Sequence, residues 1–458
     1  MIFVVVTNLL AIAAACILPN DFLASHSYVL YGVQFLTLVP YLLGAAGEVK
    51  NLFMPTIFVL VYFLVNLTLG SWLVPRDYGW NKQFTEIALS IDNYNIIVPF
   101  LLAANLVLFL LSRATLRRLR NLQLTAPVFG AGMAAAPYPE WYSLLKAPLY
   151  FSAFAFVSVF EAFNVFSFQL AIMILHLTEP ALTRRLYRFA VYGGYLLILL
   201  AFSFENKREI AMTLFLVIFV EAYFSRAQLR FRFVHIVGYV AAIAMFFGLI
   251  LAASILRGYG DFEVKSAAEA VFLIPKYVSS DFFIDGITDN LELNYCYGTT
   301  VTAMDHGLRG LVDFQYGASL AKWVFLPIPR DAIAYKPQSM MQLFTSEFMP
   351  EWWLAGGSLP VMFAADMFLN FHVFGLAAFA LIWWGINELF VRIHTVAFRS
   401  LAFYTCIFLV ITVLMFARGS GIELWLMYFL FGLPVLLGGR LLGNFVRSNG
   451  NPRTRWVV

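Results

Sequence analysis

The sequence contains few charged residues: Asp, Glu, Lys and Arg make up 12% of its 458 residues, whereas soluble domains carry about 25%. Hydrophobic residues make up 62% of the chain, and the mean hydropathy is +0.80. A composition this poor in charge excludes an ordinary soluble enzyme and indicates a polytopic membrane protein. The formal net charge of +4 is spread over short loops, as membrane topology requires, and does not indicate a nucleic-acid partner.

Several kinds of motif are also missing. The three cysteines, Cys16, Cys296 and Cys406, show neither a disulfide framework nor the spacing of metal ligands. The chain has no paired carboxylates of the DxD kind and no P-loop or nucleotide-sugar motif. We therefore expect no metal and no cofactor, and we do not expect chemistry on cytoplasmic nucleotide sugars.

Long apolar runs predict an all-α fold of about 12 transmembrane helices, because only a helix satisfies its own backbone in the hydrocarbon core. One interval between the runs is much longer than the rest. Its segments at about 267–276 and 320–326 are apolar enough to form short interfacial or re-entrant helices. We expect a single polytopic domain, 1–458, with one long loop at 257–365. The apolar runs lie at about 1–18, 28–47, 52–75, 96–112, 147–177 (two spans), 189–204, 210–224, 233–256, 366–391, 400–416 and 424–439.

Dense arginine clusters orient the spans. By the positive-inside rule, the clusters at about 113–120, 184–188 and 226–232 lie in cytoplasmic loops. Both termini are then cytoplasmic, and the long loop lies on the exported side of the membrane. Four connectors on the exported side also carry arginine: Arg76, Arg208, Arg330 and Arg418. One explanation is an anionic ligand bound on that side, and the alternative is snorkelling of these side chains to the headgroups.

The segment Leu326–Glu347 in the long loop combines helix breakers with two cations. Its three prolines disfavour helix, because proline lacks the N–H and restricts the residue before it. Arg330 offers a planar fork of donors that suits a phosphate, and Lys336 offers a compact point charge. Cations on irregular backbone beside a bilayer suggest an anionic ligand, and the alternative is two surface cations in a solvated loop.

This segment resembles the long-loop motif of the Wzy-type polysaccharide polymerases, and is similar in layout to the polymerases of enterobacterial common antigen. The resemblance rests on Pro327-Ile328-Pro329-Arg330, on Lys336-Pro337, and on the closing Phe344-Thr345-Ser346-Glu347. Two further sites are similar to the family's pattern: Arg208-Glu209 before an apolar run, and Arg418-Gly419 near the C-terminus. The resemblance covers about residues 188–440.

The resemblance implies a membrane glycosyltransferase that joins oligosaccharide repeat units carried on undecaprenyl diphosphate into a surface polysaccharide such as the O-antigen of lipopolysaccharide. An acceptor hydroxyl attacks the donor's anomeric carbon, and the lipid diphosphate leaves. We expect Arg208, Arg330 and Arg418, with Lys336, to stabilise the charge that grows on the diphosphate. The implied partners are lipid-linked oligosaccharides, membrane lipid, a chain-length regulator and a flippase.

The base that takes the hydroxyl proton is a separate question. Glu347 matches an acidic position of the common-antigen branch, and it is our first candidate for a catalytic base. Asp366, His306 and His372 are rival candidates and count as candidate substrate-binding residues. A histidine in a mostly apolar stretch, such as His372, also suits a purely structural role.

Two other functions remain open. An O-antigen ligase, which transfers finished glycan to lipid A core, would also use exported arginines together with a histidine in the long loop, and His306 suits that role. A flippase for lipid-linked oligosaccharides would show two related halves and charges inside several spans. The sequence shows no internal repeat, and its charges gather at one predicted face, which favours an enzyme.

Overall fold

The computed structural model describes residues 2–76, 91–125, 140–158, 165–178, 185–202, 207–224, 267–280, 293–325, 337–354, 359–397, 400–416 and 422–450, with a few single positions between them. The regular elements in these ranges are all helical. The α-helices are α1 (Ile2–Ile17), α2 (Asn20–Ala46), α3 (Pro55–Leu73), α4 (Tyr94–Thr125), α5 (Glu140–Ser158), α6 (Val165–Leu177), α7 (Arg185–Phe202), α8 (Lys207–Phe224), α9 (Ala267–Val278), α10 (Leu293–Leu308), α11 (Ala318–Phe325), α12 (Met340–Phe348), α13 (Pro350–Leu354), α14 (Phe363–Phe371), α15 (Gly375–Ile393), α16 (Leu401–Phe416) and α17 (Ile422–Gly450).

An all-helical chain with apolar helices is what the sequence predicts. Five stretches of the described residues are long and apolar enough to cross a membrane, and six shorter helices are also apolar. The count of 12 spans stays a prediction. One detail is wrong: the arginine cluster that begins at Arg113 does not lie in a loop, because α4 continues to Thr125. Arginine and leucine are strong helix formers, so the helix extends beyond its apolar part.

The chain divides into two compact units. The first comprises residues 1–114, 228–387 and 414–424, and the second comprises 115–227, 388–413 and 425–458. The described helices of the long loop, α9 to α13, belong to the first unit. Helices at 267–278 and 318–325 agree with the two short helices expected there.

In the first unit, α2 contacts both α3 and α4. The hydroxyl of Tyr41 lies 2.6 Å from that of Ser112, and Gln34 donates a hydrogen bond of 2.9 Å to the carbonyl of Leu102. Near the start of both helices, the Asn20 side chain accepts a hydrogen bond from the backbone N–H of Asn95. These contacts run in the same order along both helices, so α2 and α4 are parallel, and α3 returns between them in sequence.

Helix α10 packs against the C-terminal half of α3. The Tyr62 hydroxyl, near the middle of α3, lies 2.9 Å from the Cys296 sulfur near the start of α10. Nine residues later, Asp305 accepts a hydrogen bond from Asn93, which immediately precedes α4. Helix α10 therefore begins halfway along α3 and ends where α4 begins. We call that end of the first unit the loop end.

A short non-helical segment, 359–362, is buried beside the start of α10. Three threonine hydroxyls bind its backbone: Thr345 accepts from the Leu359 N–H at 2.8 Å, Thr300 accepts from the Met362 N–H at 2.9 Å, and Thr299 donates to the Pro360 carbonyl. Leu359 and Met362 are buried. Unpaired backbone groups in an apolar interior cost several kcal/mol each, about 4–8 for transfer to hydrocarbon. By pairing these groups, the hydroxyls allow residues 359–362 to be both non-helical and buried.

Helices α14 and α15 form a hairpin. The Phe363 ring lies 6.0 Å from the Phe379 ring and 6.1 Å from the Trp383 ring. In one straight helix, these residues would be separated by about 24 and 30 Å at 1.5 Å per residue. The span expected at 366–391 falls within the candidate span Phe363–Ile393, but the chain is not straight there. It reverses at His372, whose φ is +54°.

The second unit is a set of apolar helices joined by polar contacts. The amide of Gln169 on α6 donates to the Ser158 hydroxyl on α5 at 2.9 Å, which agrees with two helices in place of one over 147–177. The expected hairpin tip between them lies outside the described residues. On α6, the His176 Nδ1 lies 2.7 Å from the Tyr195 hydroxyl of α7, and both side chains are buried.

Gly375 tests the hairpin directly. A Cβ at this position would overlap the carbonyl oxygen of Met367 across the turn, and backbone cannot move aside cheaply. We expect Gly375→Ala to lower the free energy of unfolding by about 1–3 kcal/mol, the usual cost of overpacking, measured by thermal or denaturant unfolding in detergent.

Gly385 is the matched control, since it lies on the same helix with nothing within 4 Å of its added Cβ. Alanine there should keep or raise stability, by up to about 1 kcal/mol. Equal stability of the two variants would contradict the reversal at His372.

Candidate active site at the loop end of the first unit

Four described elements meet at the loop end: the last turn of α10, the helix α11, the start of α12 and the last turn of α14. A tight turn between α10 and α11 assists this arrangement. Tyr316 and Gly317 both have positive φ, +46° and +90°, so the chain folds back sharply. The backbone N–H of Gln315 donates to the Leu369 carbonyl at 2.9 Å, which joins this turn to α14.

Asp366 lies in a closed polar network between α11 and α14. Its Oδ1 accepts hydrogen bonds from the Ser319 hydroxyl at 2.9 Å and from the Asn370 amide at 3.0 Å. The same amide donates to Ser319 at 2.7 Å, and the Asn370 oxygen accepts from the Gly317 N–H at 2.8 Å. Asp366 is 5% exposed. The carboxylate, predicted as a substrate-binding residue, is used here to join two helices.

His372 caps the C-terminus of α14. Its backbone N–H donates to the Phe368 carbonyl, and its ring packs at 5.4 Å from Phe314 and 5.0 Å from Phe368. These contacts fix the reversal of the hairpin, so the residue has a clear structural role. Its side chain remains partly exposed.

His306 lies in the last turn of α10. Its ring is 4.4 Å from that of Phe348, the last residue of α12, and its Nδ1 is buried without a hydrogen-bond partner among the described residues. Burial lowers the pKa of His306 below its usual value; Asp305 raises it and Arg309 lowers it, both by smaller amounts. The imidazole is therefore neutral near pH 7 and able to accept a proton.

Glu347 is next to that contact in sequence. It is exposed on α12 and makes no ion pair within the part of the chain that the structure describes. Two sequence candidates, His306 and Glu347, thus lie on helices that touch through Phe348. Asp366 lies on α14 and His372 caps that helix. Both make contacts that stabilise the fold.

Lys322 is a cation that the sequence reasoning missed. It lies on α11, is 8% exposed, and its Nζ donates to the side-chain oxygen of Gln342 on α12. Gln342 also forms a capping box with Ser339 at the start of α12. This contact joins the two helices that flank residues 326–339. A capping box preceded by proline and lysine was a readable signal for the start of α12.

Asp305 is the second residue that the sequence reasoning missed. Its Oδ1 accepts a hydrogen bond of 2.7 Å from the Asn93 amide, and the Nη1 of Arg309 lies 3.5 Å from its Oδ2. The side chain of Asp305 is 1% exposed, whereas that of Arg309 is 41% exposed. No sequence signal marked the pairing of Asp305 with Asn93, because Asn93 lies more than 200 positions away.

Three of the predicted cations, Arg330, Lys336 and Arg418, lie outside the described residues. Arg208 is the second residue of α8, and its side chain is also outside the described part. Their shared role at one diphosphate stays a prediction.

A scan against protein-family models, a search of curated proteins and a search of solved structures each found no match to the chain.

The pKa of His306 leads to a pH prediction. In the unfolded chain, histidine titrates near 6.5, whereas the folded pKa is lower. The unfolded state thus binds the proton first as the pH falls, so stability is lost on acidification from about pH 6.5 downward. We expect His306→Gln to reduce this loss, as measured by denaturant unfolding between pH 8 and pH 5. A pH dependence identical to that of the unmodified protein would exclude His306 as its source.

Proposed function

We propose that the chain is a membrane glycosyltransferase that polymerises oligosaccharide repeat units carried on a polyprenyl diphosphate, with its active site on the exported side. The donor glycan passes from its lipid diphosphate to a hydroxyl of a second lipid-linked unit. The helical, apolar architecture supports the membrane location of such a reaction, since both substrates have lipid tails.

The observation that carries the proposal is the way in which the motif loop is anchored. Residues 326–339 join α11 to α12, and the Lys322–Gln342 contact holds these two helices together at the ends of that loop. Arg330 and Lys336 belong to this sequence interval. Donors aimed at a developing charge are effective when their supports are fixed before the reaction, and the contact between the two flanking helices supplies such a support.

A proton acceptor lies on the neighbouring helix. His306 packs against the last residue of α12, is neutral near pH 7, and has an unused buried nitrogen among the described contacts. We propose His306 as the base that takes the proton of the acceptor hydroxyl. Glu347, exposed beside Phe348, is the alternative base. Either would contribute about 10²–10⁴-fold to the rate.

The same histidine favours a second candidate function, the O-antigen ligase. The two activities differ in the glycan that accumulates when the chain is deleted. Single repeat units on lipid would indicate a polymerase, and long chains left on undecaprenyl diphosphate would indicate a ligase.

The exported position of the loop end can be tested by labelling. Among the described residues, Cys16 is the exposed cysteine, so Cys16→Ser supplies the background. Asp313→Cys probes an exposed position between α10 and α11, and Glu48→Cys probes the turn between α2 and α3. An impermeant maleimide should label Asp313→Cys in intact spheroplasts and label Glu48→Cys only after lysis. The opposite result would overturn the orientation, and with it the proposal.

The function itself is tested by lysine substitutions. Arg330→Lys and Arg418→Lys keep the charge but cannot reproduce the bidentate fork. We expect each to lower polymer formation by at least about 100-fold with unchanged protein level, measured as glycan length on gels after complementation of a deletion strain.

Arg120→Lys, an exposed position on α4, is the control and should give normal polymer. If Arg330→Lys and Arg418→Lys also gave normal polymer, the diphosphate role would be refuted, and snorkelling would explain these arginines.

A further inference from the structure

Asp305 is a buried carboxylate, and one of its two oxygens accepts no hydrogen bond from the described residues. Its Oδ1 is bound by Asn93, but its Oδ2 forms no hydrogen bond with any described residue. Arg309, one turn later on α10, forms an ion pair with this oxygen at 3.5 Å but does not hydrogen-bond to it. A buried polar atom without a partner costs about 1–3 kcal/mol, and more when it is charged. Such an atom needs an explanation in a native fold.

A purely structural role does not explain the arrangement. Asp305 lies near the C-terminus of α10, where the helix dipole disfavours a negative charge. Asp366, in the same unit, shows a carboxylate that serves packing: it accepts hydrogen bonds from two neutral donors and joins two helices. If Asp305 only braced α10 against Asn93, an asparagine would serve equally well without the buried charge.

The chemistry around Oδ2 selects the kind of ligand. A carboxylate oxygen repels an anion, and the guanidinium of Arg309 at 3.5 Å repels a cation. The described residues also hold no group of three side chains that could bind a metal ion. A neutral hydroxyl satisfies both neighbours, because it donates to the carboxylate and accepts from the guanidinium. Arg309 is 41% exposed, so its side chain can swing toward water and admit the ligand.

We propose that Asp305 and Arg309 bind a sugar hydroxyl of the acceptor repeat unit, at a subsite beside the proposed base. This inference rests on the proposed function, since that function supplies the sugar. His306, the next residue on α10, faces Phe348, so the helix presents the proposed base and the sugar subsite on adjacent faces of one turn. Asp305 thereby sets which acceptor is bound, and the cations of the motif loop contact the donor's diphosphate.

The experiment measures binding of the free sugar. Purified full-length protein in detergent is titrated calorimetrically with the strain's repeat-unit oligosaccharide, released from its lipid diphosphate. We expect Asp305→Asn to weaken binding by about 10-fold or more, the effect of losing a hydrogen bond to a charged group. Asp305→Asn keeps an oxygen for Asn93, so the unfolding temperature should stay the same. Asp313→Asn, an exposed position nearby, is the control and should bind as the unmodified protein does.

The outcomes separate the two proposals. Equal affinity of Asp305→Asn and the unmodified protein would overturn the subsite, as would an unmodified protein that binds no oligosaccharide while it still makes polymer in cells. A large fall in unfolding temperature for Asp305→Asn would show a structural brace and would also overturn it. Failure of the proposed function would appear differently, as normal polymer length in the deletion strain.

Arg330→Lys provides an additional check. It should leave binding of the phosphate-free oligosaccharide unchanged, because the sugar subsite does not use that side chain. Weakened binding in this variant would contradict the separation of the sugar subsite from the diphosphate site.

Discussion

The first unit depends on one requirement, that every backbone polar group in its interior finds a partner. Residues 359–362 are not helical, yet three of the four are buried. Three threonine hydroxyls, from Thr299 and Thr300 on α10 and from Thr345 on α12, supply the partners. The hydroxyls therefore do more than satisfy a loop: they hold α10, α12 and the start of α14 at a fixed distance from one another.

The loop end follows from this arrangement. Because α14 begins in the interior and has only nine residues, its last turn reaches the same level as the last turn of α10. Asp366, Ser319 and Asn370 then attach α11, and Lys322 attaches α12. Polar residues at this end fall into two groups: some are fully hydrogen-bonded and join helices, and some, Asp305 and His306, retain an atom with no hydrogen bond to the described residues.

Hydropathy predicted much of the architecture and missed its most consequential part. The apolar segments at α1, α5 and α6 are visible because burial in lipid requires apolar residues. Helix α10 was not predicted, since its threonines and tyrosines are typical of a loop in hydropathy. Their burial depends on packing against other helices. The reversal at His372 was missed because the residues on both sides are apolar, and a positive φ at histidine leaves no mark in the sequence.

The candidate site shows the same division. A resemblance in a short motif named Arg330 and Lys336, but the capping box of Ser339 and Gln342 that begins α12 was overlooked. The sequence also named His306, but not the acidic residue beside it. Asp305 is held by a hydrogen bond from Asn93, which precedes a different helix. Pairings between distant positions are fixed by tertiary packing, and a single sequence does not carry them.

The polar composition of helix α10 has a consequence for biosynthesis. Its hydroxyl-rich sequence is a poor substrate for insertion by the translocon, since polar residues at the centre of a helix oppose partition into lipid. The surfaces that bury it, on α2 and α3, leave the ribosome more than 200 residues earlier. Helix α14 contacts α10 and α15. In the chain, α10 precedes α14 and α15 follows it. The surfaces that bury α10 are thus synthesised well before α10, so it can pack against helices that already exist.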